Sequence, residues 1–230
     1  MEFRTWEPVY EALLDDFGYP RVGDERARDR LVELLDGDEP CDPTGLGLDG
    51  ATVAVAGAGP SLESEADRAV EADVVLAAST AADRLRAAGV AVDCMVTDLD
   101  KNADTGRQLT AEGTPVAVHA HGDNVPALET HVPAYDSEFV VPTTQAGPAP
   151  PVRNYGGFTD GDRAAFLADH FGAGSLVFPG WDFDDPSVTA EKRRKLRWAE
   201  RLLRWLEQRR GERFDVLDGR RDDIAPVTGD

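Results

Sequence analysis

The chain is expected to be an α/β protein, a mostly parallel sheet with flanking helices behind a small helical cap. Three observations predict this. Short apolar runs recur from residue 51 onward, helical patterns separate several of them, and most of the runs lead into glycine, Asp or His. Apolar strands alternating with helices are βαβ units whose strands are buried on both faces. Ligands of such Rossmann-like sheets gather beyond the carboxyl ends of the strands, so residues at the run ends are where a site is expected.

The first 48 residues precede the first strand. Thr5 is placed to cap a helix with Trp6, Val9, Tyr10, Leu13, Leu14 and Phe17 on one face, Glu7 and Glu11 on the other, and Gly18 as its stop. A second helix is expected over Asp24–Leu35, with Ala27, Leu31, Leu34 and Leu35 at helical spacing. A loop with Pro40 and Pro43 follows, giving a boundary near residue 48. Two short helices hold too little apolar surface for a core of their own, so residues 1–48 form a cap on a main domain spanning 49–217.

Six strands are expected within ATVAVAGAG (51–59), VVLAAS (74–79), VDCMVTDLD (92–100), TPVAVHAHGD (114–123), SEFVVP (137–142) and SLVFPGWDF (175–183). Ser61–Glu71, Thr80–Ala88 and Asp160–Phe171 carry helical patterns between them. The Pro- and Gly-rich segment 142–157 suits neither helix nor central strand and reads as a loop packed over the site. A long amphipathic helix is expected over 191–213, with Leu196, Ala199, Leu202, Leu203 and Leu206 on its buried side. It holds ten basic residues and four acids, +6 where the rest of the chain is −26, and is either ion-paired with the acidic body or a basic rim that collects phosphates. Trp198 and Trp205, one heptad apart, serve either this chain's own core or a homodimer interface. Residues 218–230 read as an acidic, flexible tail.

Charge narrows the function classes. The 44 acids, 28 of them Asp, outweigh 24 bases, and only three of those bases are Lys. A net charge of −20 argues against duplex nucleic acid or an anionic membrane as partner. An Asp-rich, Lys-poor surface suits a high-salt interior, where the Debye length shrinks to about 3 Å near 1 M salt. Cys41 and Cys94 form no paired metal or disulfide motif. With no membrane-length apolar run and no signal-peptide pattern, a cytoplasmic location is expected.

Four motifs carry chemistry. Gly57-Ala58-Gly59-Pro60-Ser61 follows a strand and opens a helix, a setting in which free backbone N–H groups favour an anion, with Ser61 as the helix cap. Leu62 stands where a dinucleotide fingerprint has its third glycine, and the second strand ends without a ribose-binding acid, so NAD is disfavoured. No P-loop sequence occurs. In Thr97-Asp98-Leu99-Asp100 two carboxylates converge at a strand end and either cap the following turn or share a hard cation such as Mg²⁺. His119-Ala120-His121-Gly122-Asp123-Asn124 opens like a dinuclear metallohydrolase signature but has Asn124 where a further His is needed, and only two other histidines exist. Asn154-Tyr155-Gly156-Gly157-Phe158-Thr159-Asp160-Gly161-Asp162-Arg163 runs into a helix whose first turn holds a second carboxylate pair, either caps or site residues. Two acidic clusters beside a glycine turn are the pattern of Mg-nucleotide phosphoryl or pyrophosphoryl transfer.

Together GAGPSLE, VDCMVTDLD, HAHGDN, PTTQ and NYGGFTDGDRAAF, with KRRKL in the long helix, resemble the archaeal 6-hydroxymethyl-7,8-dihydropterin pyrophosphokinase family over residues 50–206. The resemblance implies a thiamine pyrophosphokinase-like catalytic fold and transfer of diphosphate from ATP to the pterin hydroxymethyl group, in folate or methanopterin cofactor synthesis. It implies Asp98 and Asp100 as Mg²⁺ ligands, with Asp160, Asp162 and Arg163 as a second catalytic cluster. Gly57, Gly59, Pro60 and Ser61 then line the nucleotide, His121, Asp123, Asn124 and Asn154 shape the substrate edge, and Thr143, Thr144 and Gln145 meet the pterin. A thiamine pyrophosphokinase and a non-catalytic nucleotide sensor remain the alternatives.

Overall fold

Alternation along the apolar runs sets the layers. In the computed structural model, which describes residues 1–228, Val53 and Val55 of β1 (Thr52–Ala56) point to one face and Ala54 and Ala56 to the other, and all four are buried. The same holds for β2 (Val74–Ala78), β3 (Cys94–Thr97), β4 (Val116–Ala120) and β5 (Val140–Thr144), and β6 (Ser175–Val177) completes an all-parallel sheet in the order β5-β4-β3-β2-β1-β6.

Among the described residues eight α-helices cover the two faces. One face takes α2 (Arg21–Leu34), α3 (Ala66–Val70), α4 (Ala81–Ala87), α5 (Ala103–Ala111) and α6 (Val125–His131). The other takes α1 (Phe3–Phe17), α7 (Asp160–His170) and α8 (Ala190–Arg210). The N-terminal helices are therefore split across the sheet: Trp6, Val9 and Tyr10 pack with α7 and α8, whereas Ala27 and Leu31 pack on the opposite face. Leu202, Leu203 and Leu206 of α8 are fully buried, each stabilising the fold by roughly 1.5–3 kcal/mol.

Several boundaries differ from the sequence reading, each for a local reason. Helix α1 starts at Phe3 with Glu2 as its cap, so Thr5 lies inside it, and α2 starts at Arg21, directly after Pro20. Ser61 caps no helix: residues Glu63–Glu65 form a 3-10 turn and α3 has five residues. Strand β5 begins three residues late, because the Asp136 side chain accepts from Glu138 N–H and starts a turn over Ser137–Phe139. It then runs on through Pro142 to Thr144, which the sheet edge tolerates, and its outer side is covered where Arg153 bonds Pro142 and Thr144. Helix α8 stops at Gly211, whose φ of 61° ends it before Arg213.

The aromatic pair of α8 is used within the chain. Trp198 is buried and donates to Asp16 (2.7 Å), and Trp205 packs against Phe166 with 5.8 Å between centroids. The stretch expected as a flexible tail packs back on α8 as far as residue 228, with Arg221 paired to Glu207 at 2.8 Å and Val227 buried; its last two residues lie outside the described ones. Among the described residues no helix is long and apolar enough to cross a membrane.

Candidate active site

Strands β1 to β5 succeed one another in one direction, and the chain then crosses back through α7 to place β6 on the far side of β1. A strand order that reverses in this way opens a crevice at the carboxyl edge. A cavity of about 590 Å³ lies there, lined by the turns after β1, β2, β3, β4 and β6, the starts of α7 and α8, and the α1–α2 junction.

Its acidic wall is built by two different backbones. Just past β3, Leu99 adopts a left-handed φ of 66°, its N–H bonding Thr97 Oγ1 (3.0 Å) and Asp100 N–H bonding Asp98 Oδ1 (3.2 Å). This tight turn brings Asp98 and Asp100 to the same side. Asp160, the first residue of α7, meets them there, and one carboxylate oxygen of each lies within 4.8 Å of the others. Arg163, one turn further along α7, donates to Asp160 (2.9 Å) and stands 3.7 Å from Asp98, and His121 Nε2 is 3.4 Å from Asp98.

The three carboxyls are not alike. Burial opposes ionisation of Asp98, but His121 and Arg163 outweigh it and hold this carboxyl well below the usual range. Burial and then the Asp98 charge push Asp100 up. Asp160 is pushed up to about 7, by burial first and the Asp98 charge second, against the pull of Arg163. Such a trio of hard oxygen donors, with two members reluctant to ionise alone, fits a hard divalent cation such as Mg²⁺.

Other expected site residues fall into two groups. Gly57, Gly59, His121 and Asp123 line the cavity with Asp98, Asp100, Asp160 and Arg163. Asp162, Asn124, Asn154, Pro60 and Ser61 do not. Asp162 closes a capping box, accepting Thr159 N–H (3.1 Å) and Thr159 Oγ1–H (2.6 Å) as well as Phe158 N–H, and is fully buried. Burial raises its pKa against those bonds. Asn124 instead joins two turns, donating to Asp98 O (2.8 Å) and His119 O (2.7 Å) and accepting from His121 N–H (3.0 Å). Asn154 pins the loop after β5 by donating to Gln145 O and Ala146 O, both at 2.8 Å. Of Thr143, Thr144 and Gln145, the two threonines bond β4 carbonyls and only Gln145 reaches the cavity.

The glycine turn also departs from expectation. The Gly57 and Gly59 N–H groups are occupied by Pro179 O (2.9 Å) and Gly180 O (2.7 Å), so they are not free for a phosphate. A Cβ would stand 2.7 Å from Gly180 O at position 57 and 2.6 Å at position 59, so glycine is required by the approach of the two loops.

Two lining residues carry no expectation from sequence. Trp181 donates Nε1–H to Val55 O (2.8 Å) and lies against Gly161. Asp24 is buried, accepting from Tyr10 OH (2.7 Å), Gln145 Nε2 (2.9 Å) and Gly122 N–H (2.7 Å). The available signal is an acid in line with Ala27 and Leu31 on the core face of α2.

The fold is thus an α/β sheet with a cavity and a cluster of three carboxylates at its strand ends. A family model described as 6-hydroxymethylpterin diphosphokinase MptE-like matches residues 39–187. The 6-hydroxymethyl-7,8-dihydropterin pyrophosphokinase of Methanothermobacter thermautotrophicus is 37% identical over 225 residues, covering 90% of this chain and 96% of that protein. Proteins of the same name from Pyrococcus furiosus and Methanocaldococcus jannaschii are 35% and 28% identical, over 90% and 91% of this chain and 95% and 97% of their own lengths. The chain belongs to the MptE-like 6-hydroxymethylpterin diphosphokinase family.

Proposed function

We propose that this chain is a Mg²⁺- and ATP-dependent 6-hydroxymethyl-7,8-dihydropterin pyrophosphokinase, supplying folate- or methanopterin-type cofactor synthesis in the cytoplasm. The observation that carries the reading is the convergence of Asp98, Asp100 and Asp160 at the rim of a cavity large enough for a nucleotide and a bicyclic ring. Family membership gives the reaction class, and the relatives' names give the substrate.

In the step proposed, the pterin hydroxymethyl oxygen attacks the β-phosphorus of ATP in line. The bond from that phosphorus to the α,β-bridging oxygen breaks, AMP departs with the oxygen, and the hydroxyl proton passes to solvent. Mg²⁺ held by Asp98, Asp100 and Asp160 would neutralise charge on the phosphate oxygens. Arg163 keeps Asp98 and Asp160 oriented, and Asn124 fixes the turn that carries Asp98. The wall made by Asp24 and Gln145 offers carboxylate and amide groups to the 2-amino-4-oxo edge of a pterin.

The test is AMP formation in molar KCl. It should require both Mg²⁺ and 6-hydroxymethyl-7,8-dihydropterin and yield the pterin diphosphate. AMP release triggered by thiamine alone, or ATP binding with nothing consumed, would replace this reading by thiamine pyrophosphokinase or by a nucleotide sensor.

A further inference from the structure

The chain has three lysines against 21 arginines, and all three, Lys101, Lys192 and Lys195, line the cavity. Among the described residues Arg163 is the one arginine that does. About one residue in seven of the chain lines it, so random placement rarely gathers every lysine there.

The run Lys192-Arg193-Arg194-Lys195 sorts its own charges. Spacing of three puts the two lysines on one face of α8, and that face borders the cavity. The arginines between them turn elsewhere: Arg193 donates to Val188 O (3.4 Å), and Arg194 pairs with Asp16 (2.9 Å) over the Phe17 ring. Lys101 follows Asp100 in the turn past β3, on another wall. The fields of Lys101 and Lys192 reach Asp100, and that of Lys192 also reaches Asp160. Lys195 stands 3.7 Å from Glu191, whereas Lys101 and Lys192 form no ion pair among the described residues. Cations left without partners in a chain of charge −20 point to an anionic ligand.

Residue type narrows that ligand. An ammonium is a compact point charge with three rotatable donors, able to follow oxygens that move during transfer. A guanidinium instead imposes a fixed planar fork. This sequence uses Arg at all 21 other Lys/Arg positions, so the retained ammonium groups mark where the fork is unsuitable.

We infer that Lys101, Lys192 and Lys195 grip the β- and γ-phosphates of the nucleotide from two sides of the carboxylate cluster. This rests on the pyrophosphokinase reading for the identity of the donor, but the grip itself is measurable without turnover.

Amine acetylation of the intact protein, read by mass spectrometry at each lysine, is the experiment. Mg²⁺ with α,β-methylene-ATP should protect all three lysines, tripolyphosphate should protect them too, and AMP should not. In steady state Lys192→Arg and Lys195→Arg should each raise KM for ATP roughly tenfold, the scale of one charge-assisted hydrogen bond, with KM for the pterin unchanged. The outward-facing Arg193→Gln should match the wild type. Protection without pterin-dependent turnover would sustain the grip while sinking the pyrophosphokinase reading. Turnover with lysines acetylated equally with and without the analogue, protection by AMP equal to that by the analogue, or protection by tripolyphosphate alone would overturn the inference.

Discussion

Asp98 and Asp100 flank Leu99 just past the end of β3, whereas Asp160 and Asp162 flank Gly161 in the first turn of α7; the spacing is the same and the outcome is opposite. The left-handed turn at Leu99 returns the chain so that both carboxylates of the first pair meet on one side. On a helix each residue advances about 100°, so two positions apart is close to opposite sides. Asp160 therefore faces the cavity and Asp162 turns back onto the helix start. Identical chemistry written at identical spacing yields a cavity-facing carboxylate pair or a cap according to the backbone beneath it.

The sharpest way to break this contrast is Asp98→Asn. It should keep the fold by circular dichroism and lower AMP formation by about 10²–10³-fold, the scale of losing one key electrostatic group. Asp162→Ala should do the reverse. Removing the capping carboxylate leaves the Phe158 and Thr159 N–H groups unpaired, and urea unfolding should show a loss of about 1–3 kcal/mol with Mg²⁺ affinity nearly unchanged.

Asp160 gives a pH-dependent prediction of moderate size. Its folded pKa of about 7 lies above the ordinary 3.8, so the folded apo-protein holds a proton there that the unfolded chain has released. Stability of the metal-free protein should therefore fall as pH rises from 4 through 7, and Asp160→Asn should flatten that slope. Mg²⁺ must displace the same proton, so affinity should rise with pH across this window and binding should release protons, as calorimetry in buffers of different ionisation enthalpy would detect. The smallest effect belongs to Ser61→Ala, expected to change unfolding free energy by no more than about 0.5 kcal/mol, because Ser61 neither caps a helix nor lines the cavity.

The parts of the molecule legible in sequence are those fixed by local pattern. Apolar runs such as ATVAVA mark strands because burial on both faces demands it, and their ends mark the sheet edge where Asp98 and His121 stand. Helix α6 was harder to read because it is seven residues long with a proline near its start, and α5 because Gly106 and two threonines interrupt it. The roles of Gly57 and Gly59 were hidden for another reason. A glycine admitted by loop packing and a glycine admitted by a phosphate are the same letter, and only the position of Gly180 tells them apart. Asp24 is not legible in sequence as a cavity residue because its partners Tyr10, Gly122 and Gln145 are distant along the chain.

A crystal soaked with Mn²⁺ and a non-hydrolysable ATP analogue, with the ion located by anomalous scattering, tests the arrangement most directly. The ion is expected within about 2.2 Å of carboxylate oxygens from Asp98, Asp100 and Asp160, with the polyphosphate reaching toward α8. An ion bound away from those three side chains, or one ligated by Asp162, would contradict this arrangement.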